Sequence, residues 1–496
     1  MGAKSLFAVL LSLALTGGLW AQELRIAVST EPPGLDPTTN AAGIIDFLLH
    51  HNLYENLIQV GPEGELHGQI ARSWEISSDG LTYIFHLRPG ILFHDGTPCD
   101  ARAVVGSFRR LMELSSGHPH PEYFRPIASV EAQGRETVVF HLREPYAPFL
   151  SLLALGDTVV VPPEAQDLAT HPVGTGPFRF ESWRPGDRLI LERNPDYYLH
   201  GVPELERIVF RFIPDPAAQL LALEAGEVDM IAEATPEIAV AAAKEPRFEA
   251  VSGPQGLVQI LAINNARHPF DDLRVRQAMA YAIDRDAIIR LVSLGYGTPI
   301  GGPLSPVSPY YVDLTGLYPH DPSKARALLS QAGYPHGFSA TLTLPANYVF
   351  HVRTGEVIAS QLAEVGIRLS LQQVDWGTWL ERVYSQADYD LTVIAHIGRL
   401  DPALMLTSYG PERPDYYFRR GWDDPKVDEL LLQGERALDP RKRGGIYRRV
   451  QQLIAEQVVN YFIQDPHRIF VFRTGLRGVS VYPIYVLDLS HVSWGT

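Results

Sequence analysis

Residues 70–98 read IARSWEISSDGLTYIFHLRPGILFHDGTP. Two runs that mix apolar and polar residues flank the dipeptide Asp79–Gly80, which is typical of a tight turn between two strands. The run at 83–87 alternates in the way that a half-buried strand requires, and residues 95–98 (Asp-Gly-Thr-Pro) predict a second turn. The aromatic residues of the stretch are of core type: Trp74, Tyr83 and Phe85. The stretch therefore predicts scaffold, with no ligand contact.

The same mixture of elements continues on both sides. Alternating runs at 24–28, 137–142 and 208–212 predict strands. Asp-Pro pairs that precede a helical apolar spacing predict helix starts, because aspartate caps a helix and proline suits its first turn. Four such pairs occur: Asp215-Pro216, Asp321-Pro322, Asp424-Pro425 and Asp439-Pro440. The longest predicted helix runs from about Asp272 to Leu294. An α/β architecture follows, and 496 residues predict two or more lobes, since single cores stop growing near ~250–300 residues.

The net charge excludes two classes of partner. Lys and Arg number 42 and Asp and Glu 57, so the formal charge is −15. Nucleic acids and anionic membranes both require a basic footprint. We therefore expect neither as a partner.

The N-terminus predicts export. Lys4 precedes an apolar run at 6–15 that is too short to span a bilayer, and residues 16–21 supply a break and a small residue before a cut. Residues 1–21 are therefore predicted to be a secretory signal peptide, which places the mature chain in the periplasm. Since no cysteine lies near the cut, we expect a soluble protein without a lipid anchor. Cys99 is the only cysteine, which excludes an internal disulfide and predicts a buried, inert thiol.

A search for catalytic motifs finds none. The sequence has no GxSxG elbow, no HExxH and no Walker loop. Residues 174–177 are glycine-rich but lack a lysine and lead into a predicted strand, whereas a phosphate cradle needs a helix N-terminus. No pair of histidines has the spacing that is typical of a zinc site; the pairs considered are 50–51, 86 and 94, and 118 and 120. We expect no enzyme, no metal and no cofactor, and keep a periplasmic hydrolase or chaperone as an alternative.

The stretch 70–98 resembles the signature of the extracellular solute-binding proteins of family 5, the dipeptide, oligopeptide and nickel-binding group. Further blocks resemble the family in the same order: 174–178 with 193–198, 223–229, 264–285, 424–431 and the helix after 439–440. The resemblance covers nearly the whole chain after residue 21.

This resemblance implies a periplasmic-binding-protein-like two-lobe fold with a hinge (class II, cluster C type) and an extra subdomain inserted in lobe I. Lobe I is predicted to comprise 22–50, 172–265 and 470–496, with the inserted subdomain at 51–171 and lobe II at 266–469. Ligand binding would close the lobes. A monomer would then pass the solute to an ABC permease and its ATPase complex.

The resemblance also implies site residues. Glu31, Pro33 and Gly34 lie in the loop that lines the ligand in the family, and Trp376 falls on a tryptophan of the pocket. Peptide binders carry a tryptophan near His396 and, three residues later, an aspartate that pairs with the peptide's amine. Here Gly398 or Arg399 takes that position. Asp401, which precedes Pro402, is favoured as a helix cap.

These departures leave the ligand open. Arg419, together with Tyr416 and Tyr417, extends the candidate site or forms a solvated basic loop. The default ligand is a peptide or a peptide-like small solute. The alternative is a non-peptide or anionic ligand: a chelated metal, an opine-like conjugate or an oligosaccharide. An arginine in place of the aspartate favours an acidic group on the ligand.

Overall fold

A computed structural model describes residues 22–113 and 117–495; the predicted signal peptide, 1–21, lies outside the described residues. The strands in chain order are β1 (Glu23–Val28), β2 (Ile58–Val60), β3 (Leu66–Gly68), β4 (Ala71–Ile76), β5 (Thr82–Leu87), β6 (Ile127–Gln133), β7 (Thr137–Leu142), β8 (Phe178–Arg184), β9 (Arg188–Arg193), β10 (Arg207–Phe212), β11 (Met230–Ile231), β12 (Phe248–Gly253), β13 (Leu257–Ile263), β14 (Gly297–Pro299), β15 (Phe338–Pro345), β16 (Ile367–Val374), β17 (Leu391–Ile397), β18 (Asn460–Pro466), β19 (Arg468–Arg473), β20 (Leu476–Arg477) and β21 (Ser493–Trp494). The α-helices are α1 (Gly43–Leu49), α2 (Ala101–Met112), α3 (Phe149–Leu152), α4 (Pro216–Ala225), α5 (Pro236–Ala242), α6 (Leu273–Ala282), α7 (Arg285–Val292), α8 (Pro322–Gln331), α9 (Val349–Ala363), α10 (Trp376–Trp379), α11 (Pro402–Leu406), α12 (Pro425–Arg436) and α13 (Pro440–Glu456).

The chain divides into two compact units. The first comprises the described residues up to Glu144, Phe149–Ser252 and those from Arg468 onward, and the second comprises Pro145–Pro148 and Gly253–His467. The predicted three-part division stays a prediction. The predicted lobes and the two observed units differ at one point. Strand β13 lies before residue 265, in the segment predicted to belong to lobe I, yet it pairs in the sheet of the second unit.

The first unit contains a seven-stranded sheet in the order β12-β19-β11-β1-β10-β9-β8. Strand β1 lies inside this sheet, parallel to both β10 and β11. Its four apolar residues are fully buried, whereas Glu23 and Arg25 are half-buried, as the alternation at the start of the strand predicts. Its residues share one core with α1, β9 and the C-terminal segment.

The stretch at 70–98 forms part of a separate four-stranded sheet in the order β4-β5-β7-β6. Strands β4 and β5 are antiparallel, as predicted. The turn between them places Gly80 at φ +69°, a left-handed conformation that glycine adopts without a steric cost, and Asp79 accepts the amide of Leu81 at 3.0 Å. Tyr83 and Phe85 are buried, whereas Trp74 is half-buried. The strands and the turn predicted for this stretch are confirmed, while the expectation that it makes no ligand contact stays a prediction.

The second unit is built on a six-stranded sheet in the order β14-β18-β13-β17-β15-β16. Strand β13 pairs antiparallel with both β17 and β18. Its alternate residues enter different cores: Leu261 and Ile263 pack on one face of the sheet, and Ile260 and Ala262 on the other. The sheet is therefore covered on both faces by apolar layers.

All four predicted Asp-Pro helix starts are confirmed, since each aspartate side chain accepts an amide of the first turn. The single helix predicted from Asp272 to Leu294 is wrong. The structure has two helices, α6 and α7, because Ile283 adopts an extended conformation and the side chain of Asp284 caps a new helix start. Local capping here ends one helix and begins the next.

Cys99 is buried, as predicted. Among the described residues, no helix combines the length and apolarity needed to cross a membrane.

We predict that Asp229→Asn lowers the stability of the first unit. The carboxylate of Asp229 receives the Nε and Nη2 atoms of Arg25 at 2.9 and 2.8 Å, and it joins β1 to the turn before β11. The Asp229 side chain is only 6% exposed, so loss of its charge leaves a partly buried guanidinium poorly paired. The expected loss is about 2 kcal/mol or more, measured by urea unfolding. Asp187→Asn at an exposed ion pair is the control, and an equal loss in both variants would contradict the prediction.

Candidate functional site

The second unit carries an aromatic cluster beside the end of β17. Its members are Tyr348, Trp376, Trp379, Tyr384, His396, Tyr416, Tyr417 and Phe418. Trp376 and Trp379 stack with ring centroids 4.9 Å apart and planes 7° apart, and Tyr348 meets Trp376 edge-on at 5.1 Å. Trp379 is buried and Trp376 is half-buried, so the cluster anchors one indole and leaves part of the other accessible. Such a partly open aromatic surface suits contact with an organic ligand.

The helix that carries both tryptophans is fixed at its start. Asp375 caps α10 by accepting the amide of Thr378 at 3.1 Å and its hydroxyl at 2.6 Å. The amide of Trp376 donates to the side chain of Asn347 at 3.1 Å. Trp379 donates its indole N–H to Thr392 on β17 at 3.0 Å. The predicted site residue Trp376 is therefore held in place by neighbours on both sides.

His396 lies in the same cluster. Its Nε2 is 2.8 Å from the hydroxyl of Tyr417. Burial lowers the pKa of His396 to about 4, because a charged imidazole would lose its hydration. The side chain is therefore neutral at pH 7 and acts through hydrogen bonding and ring packing.

Gly398 occupies a position where only glycine fits. Leu257 pairs with Ile397, so Gly256 and Gly398 follow directly on the two neighbouring strands. A Cβ atom built on Gly398 would lie 1.8 Å from the carbonyl oxygen of Gly256, which is a severe backbone clash. A carboxylate side chain is therefore excluded at this position. The next residue, Arg399, is half-buried and already interacts within the structure.

Asp401 is committed to a buried ion pair. It caps α11, accepting the amide of Ala403 at 2.9 Å. Its two carboxylate oxygens receive Nη1 and Nη2 of Arg443, both at 2.7 Å, and the two side chains are 4% and 5% exposed. The predicted helix cap is thus confirmed, and the paired carboxylate has an internal partner.

Arg419 is also buried. Its Nη2 donates to Asp428 on α12 at 2.8 Å, and its side chain is 4% exposed. This ion pair fixes the loop that carries Tyr416 and Tyr417, and both tyrosines belong to the aromatic cluster. Arg419 thus lies near the cluster in sequence but is turned towards an internal partner.

The three predicted residues of the first unit lie in one loop. Glu31 accepts the indole N–H of Trp183 and the amide of Gly186, both at 3.0 Å. Pro33 is exposed and Gly34 is buried against Ala169. In this loop, Pro33 offers the accessible surface, while Glu31 holds the loop in position.

The sequence reasoning missed a buried polar chain close to the aromatic cluster. Nδ1 of His351 is 3.1 Å from the side-chain amide of Gln259, whose oxygen accepts from Gln464 at 2.9 Å. Burial lowers the pKa of His351 to about 4. Tyr348, one turn earlier, belongs to the cluster and was missed as well. An apolar helix pattern gives no signal for such partners, since they come from distant strands.

We predict that Asp401 stabilises the fold through its ion pair with Arg443. Asp401→Leu or Arg443→Met alone leaves one buried charge unpaired and should cost about 3 kcal/mol or more. The double variant should recover a large part of this loss, because no charge then remains buried. Urea unfolding of all three variants measures the coupling. A role in ligand contact would instead leave stability unchanged and weaken ligand binding.

We predict that acid weakens the fold partly through His396. Its folded pKa of about 4 lies below the ordinary value of 6.5, so the unfolded chain binds more protons between these values. Stability should therefore fall as the pH drops from about 6.5 to 4. His396→Gln should flatten this fall, whereas His320→Gln at an exposed site should not. Urea midpoints across the pH range measure it, and identical profiles for wild type and His396→Gln would rule the contribution out.

The chain is similar to known proteins in both its sequence and its fold. The model of "Bacterial extracellular solute-binding proteins, family 5 Middle" matches residues 65–415. The glutathione-binding protein GsiB of Escherichia coli O1:K1 / APEC is 30% identical over 450 residues, which is 88% of each chain. The solved structure of the periplasmic binding protein DppA from Helicobacter pylori with the peptide STSA is 26% identical, with a TM-score of 0.80 over 96% of this chain and 98% of the other.

A second solved structure, AgaA from A. tumefacien R10 with agropinic acid, is 28% identical, with a TM-score of 0.78 over 96% of this chain and 99% of the other. These likenesses confirm the predicted α/β fold of the periplasmic binding proteins. The predicted family is confirmed as well: the chain belongs to the bacterial extracellular solute-binding proteins of family 5.

Proposed function

We propose that this chain captures a peptide-like solute that carries an acidic group and delivers it to an ABC permease. The family supports the general role, since its members bind solutes for ABC importers. The observation that carries the ligand class is the packing of Gly398 against the carbonyl oxygen of Gly256.

The argument starts from the cost of a buried ammonium. A positively charged amine needs a carboxylate partner once it loses water. Gly398 leaves no room for such a side chain, and the nearby carboxylate of Asp401 is bound to Arg443. Arg399 adds a positive charge to the same segment, although it already interacts within the structure and would have to share that charge with a ligand. This segment therefore favours a carboxylate or another anionic group of the ligand over a free amine.

Two relatives support this class of ligand. GsiB is named for glutathione, a peptide-like molecule with two carboxylates, and AgaA was solved with agropinic acid. The aromatic cluster supplies the apolar contact surface that either compound needs. An opine-like conjugate is thus the second candidate, and the complex of AgaA favours it.

We also propose where the chain works and how it passes on the solute. Residues 1–21 direct export to the periplasm, and the mature chain works there without a lipid anchor. It binds as a monomer and releases the solute unchanged to the permease and its ATPase complex. Closure of the lobes around the solute stays a prediction.

We predict that glutathione, which has two carboxylates, and agropinic acid bind more tightly than the tripeptide trialanine, which has one. Isothermal titration calorimetry measures all three ligands. Arg399→Gln should weaken glutathione binding by about tenfold or more, since one charged contact is lost, while Arg399→Lys should retain part of it. Arg368→Gln, at an exposed position on β16, is the matched control and should change nothing.

The opposite pattern overturns the ligand class. If trialanine binds more tightly than both acidic ligands, and Arg399→Gln leaves every affinity unchanged, the segment does not select an acidic group. Mass spectrometry of the recovered ligand tests the absence of turnover in the same samples.

A further inference from the structure

The first unit contains a cavity that the proposed function does not use. Its volume is about 210 Å³, and all of its lining residues belong to the first unit. They include His51, Arg88, Tyr198, Leu199, Tyr482 and Asp488. An apolar cavity of ~150 Å³ holds benzene, so this space accommodates a ligand of about eight non-hydrogen atoms.

A buried histidine forms part of the wall. Nδ1 of His51 is 3.2 Å from the carboxylate of Asp488, and the His51 side chain is 1% exposed. Among the described residues, nothing forms a hydrogen bond with its Nε2 atom. A buried polar atom without a partner is costly and calls for an explanation.

The backbone of His51 is strained as well. Its φ angle is +66°, in the left-handed region that few residues other than glycine adopt. Such strain clusters at sites where a side chain must point in a required direction. Asp488, the partner of His51, is itself held by two further hydrogen bonds. Ser490 donates its amide to the carboxylate at 2.9 Å, and Tyr482 donates its hydroxyl at 3.0 Å.

The charges of the wall favour a neutral ligand. Asp488 has hydrogen-bond donors on both carboxylate oxygens, and these hold its pKa well below the usual range although burial alone would raise it. Arg88 supplies a positive charge to the same lining, and its Nε donates to the carbonyl of Gln69 at 2.8 Å. Asp488 is already bonded to His51, Tyr482 and Ser490, and Arg88 to the backbone carbonyls of Gln69 and Gly68, so a charged ligand would have to compete with these partners, which favours a neutral one.

The aromatic part of the wall is fixed in advance. The hydroxyls of Tyr197 and Tyr198 both donate to Glu55 at 2.9 Å. Burial raises the pKa of Glu55 to about 7, and hydrogen bonds from Thr175 and the two tyrosines oppose that rise. Both tyrosines line the cavity with their hydroxyls engaged, and the guanidinium of Arg88 lies 5.9 Å from the ring centroid of Tyr198. A ligand there meets preformed contacts and needs little rearrangement of these side chains.

We propose that this cavity binds a small, neutral, polyhydroxylated molecule. A hydroxyl both donates and accepts, so it satisfies Nε2 of His51 whether the ring is neutral or charged. Since Nε2 is itself covered, the ligand reaches it only when a lining side chain moves; the ring of Tyr482 lies edge-on to His51 at 5.9 Å, and its displacement would exchange the hydrogen bond from Tyr482 to Asp488 for contacts with the ligand. Carbon atoms of the ligand then rest on the tyrosine rings.

Saturation-transfer NMR with erythritol as the probe tests the proposal. Leu199→Trp fills the mouth of the cavity with an indole and should weaken erythritol binding by about tenfold or more, since steric exclusion removes the contacts. Leu221→Trp is the matched control, because Leu221 is exposed on α4 and does not line the cavity. His51→Asn keeps a residue that tolerates positive φ but removes the imidazole, and it should weaken binding too.

The outcomes are distinct. Erythritol signals that persist in Leu221→Trp and vanish in Leu199→Trp support the site, even if His51→Asn fails to fold. Signals that persist in Leu199→Trp place the polyol elsewhere and overturn the proposal, as does a lack of any signal for glycerol, erythritol and ribitol. Binding of L-serine or acetate in preference to the polyols overturns the neutral ligand class. Glutathione affinity should be equal in both tryptophan variants, which separates this site from the proposed function.

Discussion

The close approach of two backbones in the second unit underlies the ligand preference proposed for this protein. Gly398 lies so close to the carbonyl oxygen of Gly256 that no side chain fits. The position of that carbonyl is fixed by Asp465, whose carboxylate accepts the amides of Gln255, Gly256 and Leu257 at 3.3, 2.9 and 3.2 Å. Asp465 also accepts the hydroxyl of Ser305. A buried acid at the end of β18 thus sets the backbone of the segment that pairs with β17.

The protonation of Asp465 shows how these forces compete. Burial raises its pKa to about 6, while the hydrogen bonds from Ser305 and the three amides oppose that rise. The four donors favour the charged carboxylate and so limit how far burial raises its pKa. Burial acts on His351 and His396 by lowering the pKa to about 4, which leaves both imidazoles neutral at pH 7. Asp465 is thus held by four donors, whereas the two histidines are neutral.

Local signals in the sequence predicted the scaffold well. The Asp-Pro helix starts and the Asp79–Gly80 turn depend on neighbours within four residues, so the pattern alone suffices. The break between α6 and α7 was missed because an apolar spacing continued through it, although Asp284 carried the capping signal. Family resemblance, rather than periodicity, supplied the fold and the candidate loops.

The site was less predictable because its partners are remote in the chain. Asp401 was expected to cap a helix, but its pairing with Arg443, 42 residues later, has no local signature. Arg419 looked like part of a basic loop, yet Asp428 holds it inside. In both cases the sequence shows the charge and not its partner.

Gly398 or Arg399 takes the position of the aspartate that the resemblance leads one to expect, and the packing of Gly398 has consequences beyond this position. Once a carbonyl oxygen occupies the space of a side chain, no single substitution at 398 restores a carboxylate without moving Gly256 and, through it, the amides bound to Asp465. A change of ligand class at this point is therefore linked to the packing of three strands, β13, β17 and β18. The proposed ligand preference is thus tied to the backbone of the sheet as much as to the side chains that line it.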